Sequence, residues 1–253
     1  MDEIIIKYIE KPKLTNTILI EGLPGVGNVG KLAAEHLIEQ LDAKKFADVY
    51  SKHFPPQVLV GNDGVIKLVN NELYYWKAKK ENQFDLIILS GDYQGLSSEG
   101  QYELADFIVN IAKEFGVKKI MTLGGYGFGK VIDNPRVLGA STNKKIVKEL
   151  KKLGVVFPKG EPGSGIVGAS GLLLGLGALK NLDGMCLMGE TSGYFVDPKG
   201  AKAVLEILIK MLNLNINFID LENKAAQIER ITKQLREMEK EAERPESDLS
   251  YIG

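Results

Sequence analysis

The sequence has few of the residues that most often carry chemistry. Its 253 residues include one cysteine, Cys186, and two histidines, His36 and His53. A single thiol cannot form an intramolecular disulfide, which is typical of a reducing compartment such as the cytoplasm. Cys186 lies in an apolar run with no histidine near it in sequence, which favours a buried side chain over a nucleophile. No His, Cys or Asp spacing indicates a metal site, so none is predicted.

The sequence also lacks an excess of charge and a long apolar run. The 32 basic and 33 acidic residues give a net charge of -1, which predicts no general attraction to nucleic acid or to an anionic membrane. The longest uncharged stretch, residues 163–179, is shorter than the roughly 20 residues of a membrane-spanning helix. We interpret it as a buried core helix with its leading loop. The acidic N-terminus is unlike a secretory signal, so a soluble protein is expected.

What is present is an alternation of apolar runs, glycine-rich turns and helical patterns. Continuous Ile, Leu and Val indicate strands buried on both faces, and their alternation with helices predicts an α/β three-layer sandwich with a mostly parallel sheet. The predicted strands are 17–20, 58–60, 65–69, 73–76, 86–89, 119–123 and 185–188. The predicted helices are 30–41, 98–115, 143–153, 166–179 and 199–212. The closely spaced runs between 58 and 76 favour an antiparallel meander.

After residue 214 the pattern becomes a seven-residue repeat with charged residues between the apolar positions. The repeat consists of Leu221, Ile228, Ile231, Leu235, Met238 and Ala242. Such a narrow apolar stripe favours a coiled coil between subunits, and the alternative is an amphipathic helix packed on its own domain. Pro245 ends the helical pattern. We therefore divide the chain into an α/β core, 1–214, an oligomerisation helix, 215–244, and a tail, 245–253.

The tail is polar but finishes on apolar side chains. Its candidate contact residues are Leu249, Tyr251, Ile252 and Gly253. A short flexible segment with an apolar tip is typical of a docking peptide, and the alternative is a frayed end. The pattern predicts a partner protein that receives this tail.

One glycine-rich turn follows a strand and opens a helix. The glycines of a dinucleotide fingerprint, G-x-G-x-x-G, are present as Gly25, Gly27 and Gly30. A dinucleotide fold needs an acid at the end of its second strand, yet Asp48 precedes the run 49–51. Residues 25–31 also imitate a phosphate-binding loop, but Leu32 replaces the hydroxyl residue that binds magnesium. A tightly packed turn is therefore favoured over a nucleotide site, and no cofactor is predicted.

Polar loops follow other predicted strands, and the ends of parallel strands meet at one ligand crevice. The candidate crevice residues are Gly25, Gly27, Gly30, Asp92 and Glu190. Asp92 and Glu190 are potential acids or bases, while the alternative is that they cap helices or accept loop N–H groups. Because no nucleophile stands beside a base, we predict no catalytic residue. The competing hypothesis is a small-molecule enzyme of nucleoside or phosphate chemistry that uses residues 22–31.

Several motifs together resemble one family along nearly the whole chain. They are EGLPGVGNVG at 21–30, GGY at 124–126, GASGLL at 168–173, GET at 189–191 and YIG at 251–253. With them the chain resembles the Pba-type archaeal homologues of proteasome assembly chaperones, relatives of the second eukaryotic assembly chaperone.

The resemblance implies a phosphorylase/hydrolase-like sandwich without catalysis, present as a homo-oligomer such as a tetramer or pentamer. It further implies an assembly chaperone or an ATP-independent activator whose partner is the α-ring of the core proteasome or a related assembly factor. The family's activators carry a terminal hydrophobic-Tyr-any motif. Here Tyr251 is third from the end and follows Ser250, so the sequence predicts docking and leaves gate opening undecided.

Overall fold

The computed structural model describes residues 3–157 and 165–242, with side chains described as far as Ile231. Over these residues the chain forms an eight-stranded sheet, a separate two-stranded hairpin and six α-helices. The strands are β1 Ile4–Tyr8, β2 Thr17–Glu21, β3 Lys44–Ser51, β4 Val58–Val60, β5 Ile66–Leu68, β6 Asn71–Trp76, β7 Asp85–Gly91, β8 Lys119–Gly127, β9 Val137–Ser141 and β10 Asp183–Thr191. The helices are α1 Val29–Leu41, α2 Ser98–Glu114, α3 Lys144–Lys152, α4 Ala169–Leu179, α5 Pro198–Leu212 and α6 Ile219–Ala242.

The large sheet has the strand order β1-β3-β6-β7-β2-β8-β10-β9. Its centre, β7-β2-β8-β10, is parallel throughout, while β1, β6 and β9 each run antiparallel to their neighbours. Five of the eight strands therefore point the same way, which confirms the predicted mostly parallel sheet. The carboxyl ends of the four central strands meet at one edge, where a ligand crevice is expected.

Helices cover both faces of the sheet, because side chains alternate along each strand. Ile18 and Ile20 of β2 belong to one core with residues of α1, α3, α5 and α6. Leu19, between them, belongs to a second core with residues of α2 and α4. Side-chain caps define three helix starts, since Ser97, Asn143 and Asp197 accept the backbone N–H groups of Gly100, Ile146 and Gly200. The predicted α/β sandwich and its C-terminal helix are confirmed.

The sequence did not predict β1, β3 and β9, which lie towards the two edges of the sheet. Asp48 lies inside β3 rather than before a strand, and its Oδ1 accepts Nδ2 of Asn70 at 2.7 Å and Nζ of Lys45 at 3.1 Å. Both neighbours of β3 are antiparallel to it. The parallel second strand that a dinucleotide fold requires is therefore replaced by an edge of antiparallel strands.

The predicted meander and the predicted buried helix both differ from the structure. β4 and β5 pair with each other but form their own two-stranded sheet apart from β6. α4 begins at Ala169, and it packs only one side against the sheet, through Leu173, Leu174 and Gly177. Leu179 is 80% exposed, so the prediction of a buried core helix was wrong on this side of α4. An uncharged helix with an open side is unusual in an isolated domain.

α6 packs on α5 at its start. Leu221 is 1% exposed within the same core as α1 and α5. Nζ of Lys202 lies 2.7 Å from the Glu222 carboxylate, and Lys199 forms an ion pair with Glu229. Leu221 was predicted to lie in a seam between subunits, but its side chain is buried against α1 and α5 of its own chain. No described helix is both long and apolar enough to cross a bilayer.

Candidate functional site

The glycine-rich turn at the carboxyl end of β2 is closed by backbone packing. A methyl group at Gly30 would overlap the carbonyl oxygen of Leu123 in β8, and one at Gly22 would overlap the carbonyl oxygen of Gly30. These glycines let the first turn of α1 lie directly on the sheet. The space beside Gly22 and Gly30 is filled by backbone of the same chain, so a phosphate has no room to bind there.

The tip of the same turn is covered by the segment that follows β10. Gly27 has a positive φ of 61° and is buried, and its carbonyl oxygen accepts the N–H of Asp197 at 2.8 Å. A Cβ at Gly27 would lie 2.7 Å from Oγ1 of Thr191. Gly25 alone of the three fingerprint glycines is exposed. The fingerprint therefore marks a contact between two loops.

Lys31, which imitates the lysine of a phosphate-binding loop, already has partners. Its Nζ donates to the carbonyl oxygen of Gly91 at 2.9 Å and lies 3.5 Å from the Glu35 carboxylate. Leu32 packs partly buried against the hydrophobic core. Lys31 thus connects α1 to the end of β7 by a hydrogen bond, and Leu32 contributes to the core. Neither residue is placed to bind a phosphate.

Glu190, at the end of β10, is held by Arg136. Its Oε2 accepts the Arg136 backbone N–H at 3.0 Å, and its Oε1 accepts Nε at 2.7 Å and also the terminal guanidinium nitrogen. Burial raises the pKa of Glu190, but the hydrogen bonds and charge of Arg136 outweigh burial and hold this pKa below its usual value. Glu190 is therefore ionised at neutral pH and anchors the loop before β9, which makes it a poor general acid.

Asp92, after β7, is hydrogen-bonded to the residue that precedes β6. Its Oδ2 accepts the N–H of Asn70 at 3.1 Å, and its N–H donates to the carbonyl oxygen of Asn70 at 3.0 Å. Gly27 and Glu190 come close through Thr191, but among the described hydrogen bonds none joins Asp92 to them. The geometry favours the alternative interpretation, in which these carboxylates satisfy loop N–H groups.

Sequence reasoning missed a second buried carboxyl group, Glu21, at the last position of β2. Glu21 is 0% exposed and accepts the N–H of Leu23 at 3.0 Å and the hydroxyl of Ser170 at 2.9 Å. Burial raises its pKa to about 7, and the two hydrogen bonds only partly oppose this shift. The available signal was a lone acid that ends an apolar strand directly before the glycine turn.

The surroundings of Glu21 leave little space for a substrate. Thr122 of β8 is paired with Glu21, and Cys186 of β10 is paired with Thr122 one strand further on. Burial raises the pKa of Cys186 to about 12, so its sulfur is a protonated thiol. The cavity lined by Leu23 and Leu89, at the ends of β2 and β7, measures about 20 Å³, which accommodates about one water molecule.

In contrast, the β4–β5 hairpin carries an open apolar face. Val58 pairs with Leu68 and Val60 pairs with Ile66, so all four side chains lie on one face, which we call the hairpin face. Val60 and Ile66 are 69% and 66% exposed. The other face carries Leu59 and Lys67. Two isolated strands with uncovered aliphatic side chains are marginally stable in water and typical of an interaction surface.

A second apolar surface lies beside α6. A cleft of about 300 Å³ is lined by Val131, Phe195, Val196 and Ile228 among others. Of the predicted seam residues, Ile228 lines this cleft and Ile231 is half exposed. The side chains of Leu235, Met238 and Ala242 lie outside the described set. The predicted tail contacts, Leu249, Tyr251, Ile252 and Gly253, also lie outside the described residues.

Comparison with known proteins places the chain in a family. The model of the PAC2 family matches residues 19–236. The chain belongs to the PAC2 family. A crystal structure of Pyrococcus furiosus PbaB, described as an archaeal proteasome activator, is 43% identical with a TM-score of 0.89 and covers 93% of this chain and 100% of that one.

Two further relatives agree with this assignment. Pyrococcus furiosus PbaA, described as an archaeal homolog of proteasome-assembly chaperone, is 33% identical with a TM-score of 0.76 and covers 94% of both chains. An uncharacterized protein of Methanocaldococcus jannaschii is 44% identical over 247 residues, 95% of this chain and 93% of that protein. The resemblance to the Pba-type homologues that the motifs indicated is confirmed.

Proposed function

We propose that the chain is a non-enzymatic proteasome assembly chaperone or ATP-independent proteasome activator. It acts in the cytoplasm as a homo-oligomer, and its C-terminal tail engages the α-ring of the core proteasome or a related assembly factor. The observation that carries this proposal is the similarity to PbaB, which extends over 93% of this chain at a TM-score of 0.89.

The strand-end geometry supports an interaction role over catalysis. Where an α/β enzyme keeps its ligand crevice, Gly30 lies against Leu123 and Gly27 lies against Thr191. Glu190 is paired with Arg136, and Glu21 has no exposed surface. These groups have partners within the fold, which leaves them poorly placed to reach a small molecule.

The open apolar surfaces support self-association. The hairpin face exposes four aliphatic side chains with no charged residue among them, and such a face gains free energy when a second copy covers it. We assign the hairpin face to contacts between copies of this chain. We propose a second contact between copies along α6. It uses the remaining residues of the predicted seam, which are Ile228, Ile231, Leu235, Met238 and Ala242. Leu221 is left out because it is buried within its own chain.

The proposed docking role of the tail is tested by capture of purified archaeal core proteasome. Full-length protein on beads should retain the proteasome, and protein truncated after Pro245 should lose at least about nine-tenths of it because the tail supplies the contact. Light scattering on both proteins should give the same subunit number. A matched control replaces Asp248→Asn and Ser250→Ala and keeps the apolar residues.

Capture by the truncated protein at the full-length level would contradict tail docking. Loss of capture in the control variant would show that Asp248 or Ser250 is also required, so that the apolar residues alone do not account for docking. Truncation after Pro245 leaves the α/β core and α6 in place, so the truncated protein should keep its oligomer mass. A changed mass would attribute the loss of capture to misassembly, and an unchanged mass would attribute it to loss of docking.

One observation favours the enzymatic alternative, namely the raised pKa of Glu21, since shifted carboxyl groups concentrate at active sites. An enzyme of nucleoside or phosphate chemistry should bind its ligand at residues 22–31. A thermal-shift panel of nucleotides, nucleosides and phosphate would then raise the melting temperature. The non-enzymatic proposal expects no shift with any of them.

A further inference from the structure

Three potential metal ligands meet where the end of α1 contacts the start of α6. His36 and Glu39 lie one turn apart on α1, and Asp220 lies in the first turn of α6. One ligand atom from each residue falls within 4.8 Å of the other two. His36 and Asp220 are far apart in the sequence, which is why residue spacing predicted no metal site.

The orientation of the His36 ring is fixed in the way that metal-binding histidines are. Nε2 lies 2.7 Å from the carbonyl oxygen of Asn217, and because a carbonyl only accepts, Nε2 carries the proton. When the ring is neutral its lone pair is therefore on Nδ1, for which no hydrogen-bond partner is described. A backbone carbonyl that accepts the distal N–H is the usual outer support of a histidine ligand.

The surroundings hold this ring rigidly. His36 is 4% exposed, and its ring stacks on Phe218 with a centroid distance of 6.0 Å and an interplanar angle of 15°. Asn217 is held in turn, because its Nδ2 and backbone N–H both donate to Oε1 of Gln40, at 2.6 and 3.2 Å. A preorganised imidazole loses little conformational entropy when it binds an ion.

The two carboxylates have unbalanced charge. Among the described side chains, neither Glu39 nor Asp220 forms an ion pair with a lysine or arginine, and Lys202, which faces Phe218, is paired with Glu206 and Glu222. Glu39 lies in the last turn of α1, where the helix dipole disfavours an anion. Two carboxylates this close repel each other unless a cation lies between them.

We propose that the imidazole of His36 and the carboxylates of Glu39 and Asp220 bind one divalent transition-metal ion such as Zn²⁺ or Mn²⁺. One imidazole nitrogen with two carboxylate oxygens is a donor set that suits these ions better than Mg²⁺ or Ca²⁺. The remaining coordination positions face solvent, since Glu39 and Asp220 are exposed. The ion joins α1 to α6 and fixes the direction in which α6 leaves the core.

The binding test uses full-length protein without an affinity tag, stripped of metal with a chelator. Calorimetric titration should show one Zn²⁺ or Mn²⁺ per chain and much weaker binding of Mg²⁺. Glu39→Gln and Asp220→Asn keep side-chain shape at exposed positions and should each weaken binding at least about tenfold. The matched control is Glu35→Gln, one turn earlier on α1, which should bind as the unaltered protein does.

A second readout follows the consequence of binding. Hydrogen exchange of backbone amides in 217–228 should slow on addition of Zn²⁺ in the unaltered protein and in Glu35→Gln, but not in Asp220→Asn. The proposal is overturned if neither ion binds more tightly than about 100 μM. It is equally overturned if Glu39→Gln and Asp220→Asn bind as well as the control, because the ion then occupies other surface carboxylates. Neither result depends on proteasome binding.

Discussion

The glycine-rich turn after β2 and the β4–β5 hairpin differ in how far they are covered by the rest of the chain: the turn is closely packed, and one face of the hairpin is exposed. The turn lies at the carboxyl end of the sheet, where α/β proteins bind ligands, yet its backbone is pressed against β8 and the loop after β10. The hairpin lies outside the sheet, where polar side chains are expected, yet Val58, Val60, Ile66 and Leu68 form an open aliphatic face.

The difference shows which region has apolar side chains available for contacts with other molecules. Close packing at the turn stabilises the fold and leaves room for about one water molecule in the adjacent cavity. The hairpin face contributes little to the stability of its own chain, because its side chains are not buried there. Substitutions in the turn should therefore change the free energy of unfolding, and substitutions in the hairpin face should change association.

The largest expected effect is that of Gly30→Ala. The added methyl group would overlap the Leu123 carbonyl oxygen, and neither partner is a flexible side chain, so α1 must move off β8. We expect a loss of about 4 kcal/mol in the free energy of unfolding or failure to fold. Guanidinium unfolding followed by fluorescence of Trp76, which is buried and the single tryptophan, measures this loss.

Gly175→Ala is the matched control, since Gly175 also lies within a helix but a methyl group there meets nothing within 4 Å. Removal of helical glycine should stabilise this variant by about 0.5–1 kcal/mol. An equal gain in Gly30→Ala would contradict the close packing of the turn.

The next effect concerns the pH dependence set by Glu21. Its pKa is about 7 in the folded chain and 4.5 ordinarily, so between these values the folded chain binds more protons than the unfolded chain. Stability contributed by Glu21 is present below about pH 4.5 and is lost as pH rises through 7. Glu21→Gln removes this loss and should be more stable than the unaltered protein by about 3 kcal/mol at pH 8.

Unfolding curves between pH 4.5 and pH 8 measure this difference, which should shrink towards the acidic end. Glu35→Gln, at an exposed position of α1, should show no such trend. A Glu21→Gln variant that is less stable than the unaltered protein at pH 8 would contradict this account, because the fold would then accommodate the carboxylate better than the amide.

Much of the fold was predictable because its central strands are continuous runs of apolar residues. The continuous apolar runs at β2, β7, β8 and β10 identified the buried parallel centre of the sheet, because strands covered on both faces need no polar alternation. β3 was missed because Lys44, Lys45 and Asp48 interrupt its apolar residues. α4 looked buried because it is uncharged, and only tertiary structure shows that one side of it is open.

The candidate site was less predictable, because its decisive features are tertiary. The sequence favoured a packed turn over a phosphate cradle at residues 22–30 only because Leu32 and Asp48 did not fit a nucleotide site, and the contact of Gly30 with Leu123 that closes the turn is tertiary. Arg136 precedes its partner Glu190 by more than fifty residues in the sequence, so residue spacing could not predict the pair. Leu221 fitted the seven-residue repeat, yet the chain buries it at the junction of α5 and α6.

The measurement that tests the comparison most directly is the oligomer mass of hairpin variants by light scattering. Val60→Lys with Ile66→Lys places two charges on the hairpin face, and Leu59→Lys places one on the opposite face as the control. Both variants should unfold within about 0.5 kcal/mol of the unaltered protein. The unaltered protein and the control should share one multiple of the 27.8 kDa chain mass, while the double variant should be smaller. An unchanged mass in the double variant would contradict the assignment of the hairpin face to contacts between copies.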